Sequence, residues 1–239
     1  MKKTIRLLEL YPRDMNIYGD WGNALVLRRR LEWYGYDVES LEYNSGDIFP
    51  DDVDIIVGGG GQDSAQVNIQ LDLIKISSQL KSLAEDGMPM LAICGLYQLF
   101  GHFFKTREGT IIKGIGLLDV ETHGGDERLI GNTITTNEVF GEIVGYENHS
   151  GLTYLHSNAQ PFATIIRGAG NNGQDETEGA VYRNVIGTYL HGPLLPKNPK
   201  IADHLIKQAV EQKYGEFEPT VIDDSFADKA RLAALRRTR

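Results

Sequence analysis

The chain of 239 residues holds a single cysteine, Cys94, in the stretch "LAICGLYQLFG" from Leu91 to Gly101. An apolar run ends at the sulfur, a glycine follows, and a helical pattern begins. A side chain at a strand-to-helix turn projects outward, and the helix N-terminus favours the thiolate. A free thiol titrates near ~8.5, so a nucleophile working at neutrality needs such help. The alternative is a buried structural cysteine, because free Cys is among the most buried residue types. Position alone leaves both open.

Two further sets of residues could complete a nucleophilic site. The string "VGGGGQD" follows a buried apolar run, which leaves the amides of Gly58 to Gly61 free at one edge of a sheet. Such amides can stabilise an oxyanion or cradle phosphate; the plain alternative is a permissive turn. No lysine follows in P-loop spacing, and no dinucleotide fingerprint occurs. The base must come from six histidines. His102 and His204 lie in helical patterns and read as surface or packing residues, while His123 sits in the loop-like "THGGDER". His156 in "YLHS" and His191 in "YLHG" share a local string. "NVIGTYLHGP" leaves a strand directly into Gly192 and Pro193, which makes His191 the first choice and His149 in "YENHSG" the second. One cysteine and scattered histidines give no zinc-ligand spacing, so no metal is expected.

The elements that must position these residues alternate. "TIRLLEL" reads as a strand, "GNALVLRRRLEWYGY" as a helix, "DVESLEY" and "DVDIIVG" as strands, "SAQVNIQLDLIKISSQLKSLAEDG" as one long helix, "MPMLAIC" as a strand and "GLYQLFGHFF" as a helix. This order implies an α/β fold with a mostly parallel central sheet covered by helices. The second half is β-branched and punctuated by turns, from "GTIIKGIGLLDVET" to "GAVYRNVIGTYLHG", and adds antiparallel strands and hairpins. "GAGNNGQDETEG", Gly168 to Gly179, reads as a mobile surface excursion. "KIADHLIKQAVEQKYG" is an amphipathic helix stopped at Gly215. A single domain over 1–239 is expected. The basic stretch 225–239 reads either as a frayed terminus or as a docking tail.

Composition narrows the function. Hydrophobic residues make up 41% and charged residues 24%, ordinary for a globular chain, and 24 basic against 33 acidic residues give a net charge of −9. That charge argues against nucleic acid or anionic membrane as partner. No apolar run reaches the ~18–20 residues of a membrane span. "MKKTIRLLELYPRD" has no long apolar core or cleavage site, so it is read as a first strand and not as a signal peptide. Nothing requires an oxidising compartment, and a cytoplasmic protein is the simplest reading.

"LAICGLYQLFG" resembles the nucleophile segment of class I, triad-type glutamine amidotransferases, above all the cobyric and cobyrinic acid branch, whose members read C-G-G-Y-Q. "DIIVGGGGQD", "IKGIGLLD", "GYENHSG" and "VIGTYLHGP" extend the likeness along nearly the whole chain. "YPRDMNIYGDWGNALVLRRRLEWYG" narrows it to the stand-alone glutaminase subunits of lipid II isoglutaminyl synthases. The resemblance implies that Cys94 is the nucleophile and His191 the general base and acid. It implies oxyanion amides from Gly59, Gly60 and Gly95, and contacts to L-glutamine from Arg128 and Gln98. It also implies a Mur-ligase-like (MurT-type) partner subunit that binds ATP and Mg²⁺, amidates D-glutamate of the peptidoglycan stem and forms a heterodimer with this chain.

Two departures from the family pattern stand out. Leu96 replaces the usual glycine two residues after the nucleophile, where an elbow turn is crowded. His191-Gly192-Pro193 replaces H-x-E, so the acid that orients the histidine must come from elsewhere, and a partner subunit is the expected source. Competing readings are a glutaminase serving another synthetase such as one for cobyrinate, a cysteine hydrolase or stress protein of the DJ-1 type, and a non-catalytic binding subunit.

Overall fold

Runs of consecutive buried residues, rather than alternating ones, build the centre of the molecule. The computed structural model describes residues 3–237. Strands β1 (Thr4–Leu10), β2 (Asp37–Tyr43), β3 (Ile55–Gly58) and β4 (Met90–Ile93) are all parallel. All four residues of β4 are buried, as Ile55, Ile56 and Val57 are in β3, which requires cover on both faces of the sheet. That cover includes α1 (Trp21–Trp33), α2 (Asp63–Lys75), α3 (Ser77–Glu85) and α4 (Gly95–Phe100).

The chain then leaves this sheet. Strands β5 (Phe103–Lys105), β6 (Ile111–Lys113), β7 (Val120–Asn137), β8 (Gly141–Leu155), β9 (Ala163–Arg167) and β10 (Thr177–Glu178) form a second sheet ordered β10-β9-β7-β5-β6, with β8 on β7. It is antiparallel except where β5 meets β7. Strands β11 (Ala180–Tyr182) and β12 (Val185–Thr188) return to the first sheet, giving the order β11-β12-β4-β3-β1-β2. β12 lies parallel to β4, with Thr188 opposite Ile93. A 3-10 turn (Leu195–Lys197), α5 (Pro199–Tyr214) and α6 (Ser225–Leu235) complete the chain, and α5 stops at Gly215 with φ 87°.

Three sequence expectations change. The long helix is two helices, broken at Ile76, where the Ser77 hydroxyl donates to Ile74 O at 2.7 Å and competes with the helical pattern. The helix after Cys94 ends at Phe100, because His102 N–H donates to Val120 O at 2.8 Å and draws Phe103–Lys105 into the second sheet.

The third change is the loop 168–179, which is a surface excursion only at its exposed tip, 173–176. Asn171 and Glu178 are fully buried. Asn171 exchanges two 2.9 Å hydrogen bonds with the backbone of Gly179, and the amides of Ala169 and Gly170 donate to Glu147. Internal partners replace water at both ends of the segment, so its polarity exposes only the tip.

The tail forms α6, tied to its own chain: Arg30 bridges Asp203 and Asp224, and Arg167 donates to Leu235 O at 3.2 Å. Met1 and Lys2 of the first-strand reading, and Thr238 and Arg239 of the 225–239 tail, lie outside the described residues. Among the described residues no helix is long and apolar enough to cross a membrane.

Candidate active site

Cys94 sits in the single-residue turn between β4 and α4, with φ 49° and ψ −104°. A non-glycine residue holds such a backbone only where its surroundings over-determine it, at a cost of ~1–3 kcal/mol. Two hydrogen bonds do so. Cys94 N–H donates to Thr188 O at 2.8 Å, and Cys94 O accepts Gln98 N–H at 3.0 Å. The turn also accommodates Leu96, which is fully buried. Its side chain fills the space where a Cβ on Gly58 would stand. A glycine at the end of β3 thus makes room for the leucine that departs from the family pattern.

His191 lies just beyond the end of β12, the neighbour of β4, and so emerges beside Cys94. The ring is 1% exposed. Nδ1 lies 3.1 Å from Asp20 Oδ1, and Nε2 has no nitrogen or oxygen partner. Burial works against a charged ring here, but the Cys94 sulfur and the Asp20 carboxylate outweigh it, and His191 titrates well above the ordinary histidine range. Gly60 lies over the pair: a Cβ there would come 2.9 Å from His191 Cε1 and 3.1 Å from Cys94 Cβ. The Tyr18 ring meets the imidazole edge-on with 4.9 Å between centroids.

Asp20 answers the question of the orienting acid. It is 4% exposed and sits in the turn that starts α1, far from His191 in sequence. The expectation that a partner subunit must supply this carboxylate gives way to one from the chain itself. Its second oxygen accepts Gly60 N–H at 2.8 Å.

That bond also changes the account of the oxyanion amides. Gly60 N–H is already engaged, and a Cβ on Gly59 would meet Met15 O and the Asp20 side chain. Gly61 instead lines the cavity that holds Cys94, and its amide nitrogen lies 2.9 Å from where a Cβ on Gly95 would be. Gly95 begins a helix, where N–H groups have no intrahelical acceptor. Gly61 and Gly95 therefore lie side by side at the nucleophile's turn.

The cavity has a volume of about 370 Å³, at the small end of the ~300–1,000 Å³ range of ligand pockets. Gln98 and Arg128 both line it. Gln98 is 4% exposed; it accepts from Gln66 Nε2 at 2.8 Å and donates to Tyr189 OH at 3.1 Å. Arg128 lies in β7 at the irregularity between Gly124 and Leu129. Its Nε donates to Asn148 Oδ1 at 2.5 Å, and Nη2 donates to Tyr18 OH at 3.2 Å. The site can thus present one exposed guanidinium, a buried carboxamide and a buried sulfur to a small polar molecule.

His149, the second choice for a base, also lines the cavity, with one ring nitrogen engaged by the backbone. It stacks on Tyr189 at 3.5 Å between centroids, with Nδ1 2.7 Å from Gly151 O. Burial pushes its pKa down to about 3, so it stays neutral, and its Nε2 is buried without a hydrogen-bond partner. The remaining histidines are elsewhere: His102 pairs with Asp119, His123 and His156 pair with Glu121, and His204 lies on α5.

Sequence reasoning missed Asp20 and Tyr18, and within the run Gly58 to Gly61 the resemblance pointed to Gly59 and Gly60 rather than Gly61. Asp20 and Tyr18 lie in "NIYGDWG", a stretch singled out by its resemblance but given no role. Nothing in its spacing announces a partner 171 residues away.

Residues 6–199 match the family of CobB/CobQ-like glutamine amidotransferase domains. The chain is 42% identical over 224 residues, 93% of its length and 91% of the relative's, to lipid II isoglutaminyl synthase (glutamine-hydrolyzing) subunit GatD of Staphylococcus aureus. It is 36% identical over 215 residues, 89% and 83% of the two chains, to the subunit of the same name from Streptococcus pneumoniae. A probable cobyric acid synthase of Methanothermobacter thermautotrophicus is 32% identical over 180 residues, which span 65% of this chain and 35% of that protein. Among solved structures, PurLQS from Thermotoga maritima gives a TM-score of 0.60 at 17% identity, covering 86% of this chain and 98% of that one. A glutamine amidotransferase from Thermotoga maritima gives 0.56 at 15% identity, covering 96% and 93%. At these identities the structural likeness speaks for the fold alone.

Proposed function

The chain belongs to the family of CobB/CobQ-like glutamine amidotransferase domains, and from that premise we propose that it is a glutaminase subunit in which Cys94 and His191 hydrolyse L-glutamine to glutamate and ammonia. The observation that carries this reading is the alignment of Asp20, His191 and Cys94 beneath Gly60, with Cys94 on the wall of a cavity that Gln98 and Arg128 also line.

The chemistry follows from that alignment. Asp20 accepts a hydrogen bond from the Nδ1–H of His191, which directs Nε2 toward the sulfur. The Cys94 thiolate attacks the side-chain carbonyl carbon of glutamine, and a C–S bond forms as the carbonyl becomes an oxyanion. The Gly61 and Gly95 amides face that charge, and one such donor is worth ~3–4 kcal/mol where tested in other enzymes. The imidazolium gives its Nε2 proton to the amide nitrogen, the C–N bond breaks, and ammonia leaves a thioester. Water then attacks, His191 accepts its proton, and the C–S bond breaks to release glutamate and restore the thiolate. Arg128 grips the α-carboxylate at the cavity mouth, and Gln98 contacts the substrate from its floor.

Ammonia set free in neutral water becomes ammonium, which is not nucleophilic, so the reading calls for an acceptor enzyme at hand. The two relatives named as subunits of lipid II isoglutaminyl synthase support a separate Mur-ligase-like (MurT-type) partner. That partner would bind ATP and Mg²⁺ and amidate D-glutamate of the lipid II stem, in the cytoplasm. Service to cobyrinate amidation has less support, because the match to the cobyric acid synthase covers only 35% of that protein.

The test is co-purification of the chain with a Mur-ligase-like subunit, followed by an assay of glutamate release and stem-peptide amidation from glutamine and ATP. Cys94→Ala should abolish both. Ammonium chloride supplied to the variant complex should restore amidation alone. Steady glutamate release by folded Cys94→Ala would overturn the assignment.

A further inference from the structure

Glu178 stands in the segment that sequence reasoning assigned to a surface loop, yet it is completely buried. It belongs to β10, paired with β9 of the second sheet, but its side chain reaches the first. One carboxyl oxygen accepts the Thr188 hydroxyl at 2.5 Å and the Tyr189 N–H at 2.8 Å. The other is buried without a hydrogen-bond partner. The charged and titratable groups that act on it are Glu147, Tyr97 and His191. A half-satisfied buried carboxyl weakens a fold, so packing alone gives no reason for it.

Thr188 and Tyr189 are the junction of the site. Thr188 O accepts the Cys94 N–H that holds the nucleophile in its left-handed turn. The Thr188 hydroxyl also accepts Leu190 N–H at 3.1 Å, one residue before His191. Tyr189 OH accepts Gln98 Nε2 at the cavity floor, and its ring is the platform for His149. The nucleophile backbone, the approach to the imidazole and the cavity floor therefore converge on the two residues that Glu178 grips.

We propose that Glu178 is a positioning residue: by clamping Thr188 and Tyr189 it fixes the Cys94 turn against the His191 segment, and so sets the approach of sulfur and imidazole to the substrate amide. The inference rests on the glutaminase reading above. It assigns Glu178 no contact with substrate. The carboxyl acts as a brace between the two sheets, through its acceptor oxygen and not through its charge.

Three variants in the complex with the synthetase partner test this. Glu178→Ala removes both hydrogen bonds. Glu178→Gln keeps an acceptor oxygen of the same reach. Thr188→Val removes the hydroxyl while leaving the backbone carbonyl to Cys94. Each is checked for fold by circular dichroism and thermal unfolding, and then assayed for kcat and KM for glutamine and for the rate of Cys94 alkylation by iodoacetamide. Glu178→Ala should lower kcat by about tenfold or more with KM within about twofold, and slow alkylation in parallel. Thr188→Val should move kcat in the same direction by a smaller factor, and Glu178→Gln should restore kcat to within about threefold of the parent.

A folded Glu178→Ala with kcat within that threefold range overturns the proposal. So does a rise in KM in place of the fall in kcat, or a Glu178→Gln as impaired as the alanine. Where Glu178→Ala fails to fold, an unchanged kcat in Thr188→Val overturns it instead. Cys94→Ala, run alongside, separates the two readings. An active Cys94→Ala defeats the glutaminase site itself; an inactive one beside fully active Glu178→Ala and Thr188→Val defeats only the clamp.

Discussion

The carboxylate of Asp20 touches both halves of the reaction site: one oxygen lies 3.1 Å from His191 Nδ1, and the other accepts the Gly60 N–H at 2.8 Å. A single side chain thereby fixes the aim of the imidazole and the position of the glycine run above it. Asp20→Asn should leave the fold intact and lower kcat by about tenfold or more. The pH profile gives the sharper reading. Asp20 helps to raise the His191 pKa, so the imidazolium that protonates the departing nitrogen persists to higher pH than a free histidine would. Activity falls as pH rises through that raised value. Asp20→Asn removes one cause of the shift and should move the alkaline limb of kcat to lower pH. An unmoved limb would show that Asp20 does not act on the histidine.

Arg128 is exposed at the cavity mouth and held by Asn148 and Tyr18. It has no contact with the sulfur or the imidazole, so its proposed grip on the substrate acts equally in ground and transition states. Arg128→Ala should raise KM for glutamine by about tenfold or more and leave kcat within about threefold. Steady-state kinetics over a wide glutamine range checks this. A fall in kcat at unchanged KM would assign the residue elsewhere.

Leu96 and Gly58 should behave as a coupled pair. A methyl on Gly58 would collide with the Leu96 side chain and approach Leu10 O at 3.2 Å. Gly58→Ala should cost ~1–3 kcal/mol by overpacking, and Leu96→Ala ~2–5 kcal/mol by opening a cavity. The double variant should cost less than the two together, by about 1 kcal/mol or more. Chemical denaturation of the four proteins measures the coupling, and strict additivity would refute the packing account.

Glu178 should impose a pH dependence on stability. Burial raises its pKa from the ordinary 4.5 to about 7. The folded chain then holds a proton that the unfolded chain has released between those values, so stability falls as pH rises through the window. Glu178→Gln cannot titrate. Relative to the parent its melting temperature should therefore be higher at pH 8 than at pH 5, with a relative gain of the order of 3 kcal/mol at most. Thermal melts at the two pH values decide it.

The sequence discloses the parallel sheet through its uninterrupted apolar runs, "DIIVG" and "MLAIC", and the nucleophile turn through the glycine that follows Cys94. It discloses His191 because a strand ends abruptly in Gly-Pro. It hides Asp20, because a carboxylate opposite an imidazole leaves no local pattern when the two come from different ends of the chain. It misleads at the two ends of Gly168 to Gly179, where polar residues satisfied by internal partners such as Glu147 have the same composition as the solvated tip between them. It also misleads at Ile76, where apolar periodicity continues straight through a helix break. The tertiary partners of polar residues, rather than apolar spacing, are what the chain conceals.

The pairing of β12 with β4, Thr188 opposite Ile93, has a consequence for how such a chain can change in length. Adding or deleting one residue between Val185 and His191 would turn the imidazole to the opposite face, because side chains on a strand alternate. The hairpin tip between β7 and β8, around Glu138 and Val139, is under no such constraint. Insertions should accumulate there, and the six positions leading up to the histidine should keep their number even where their identities drift.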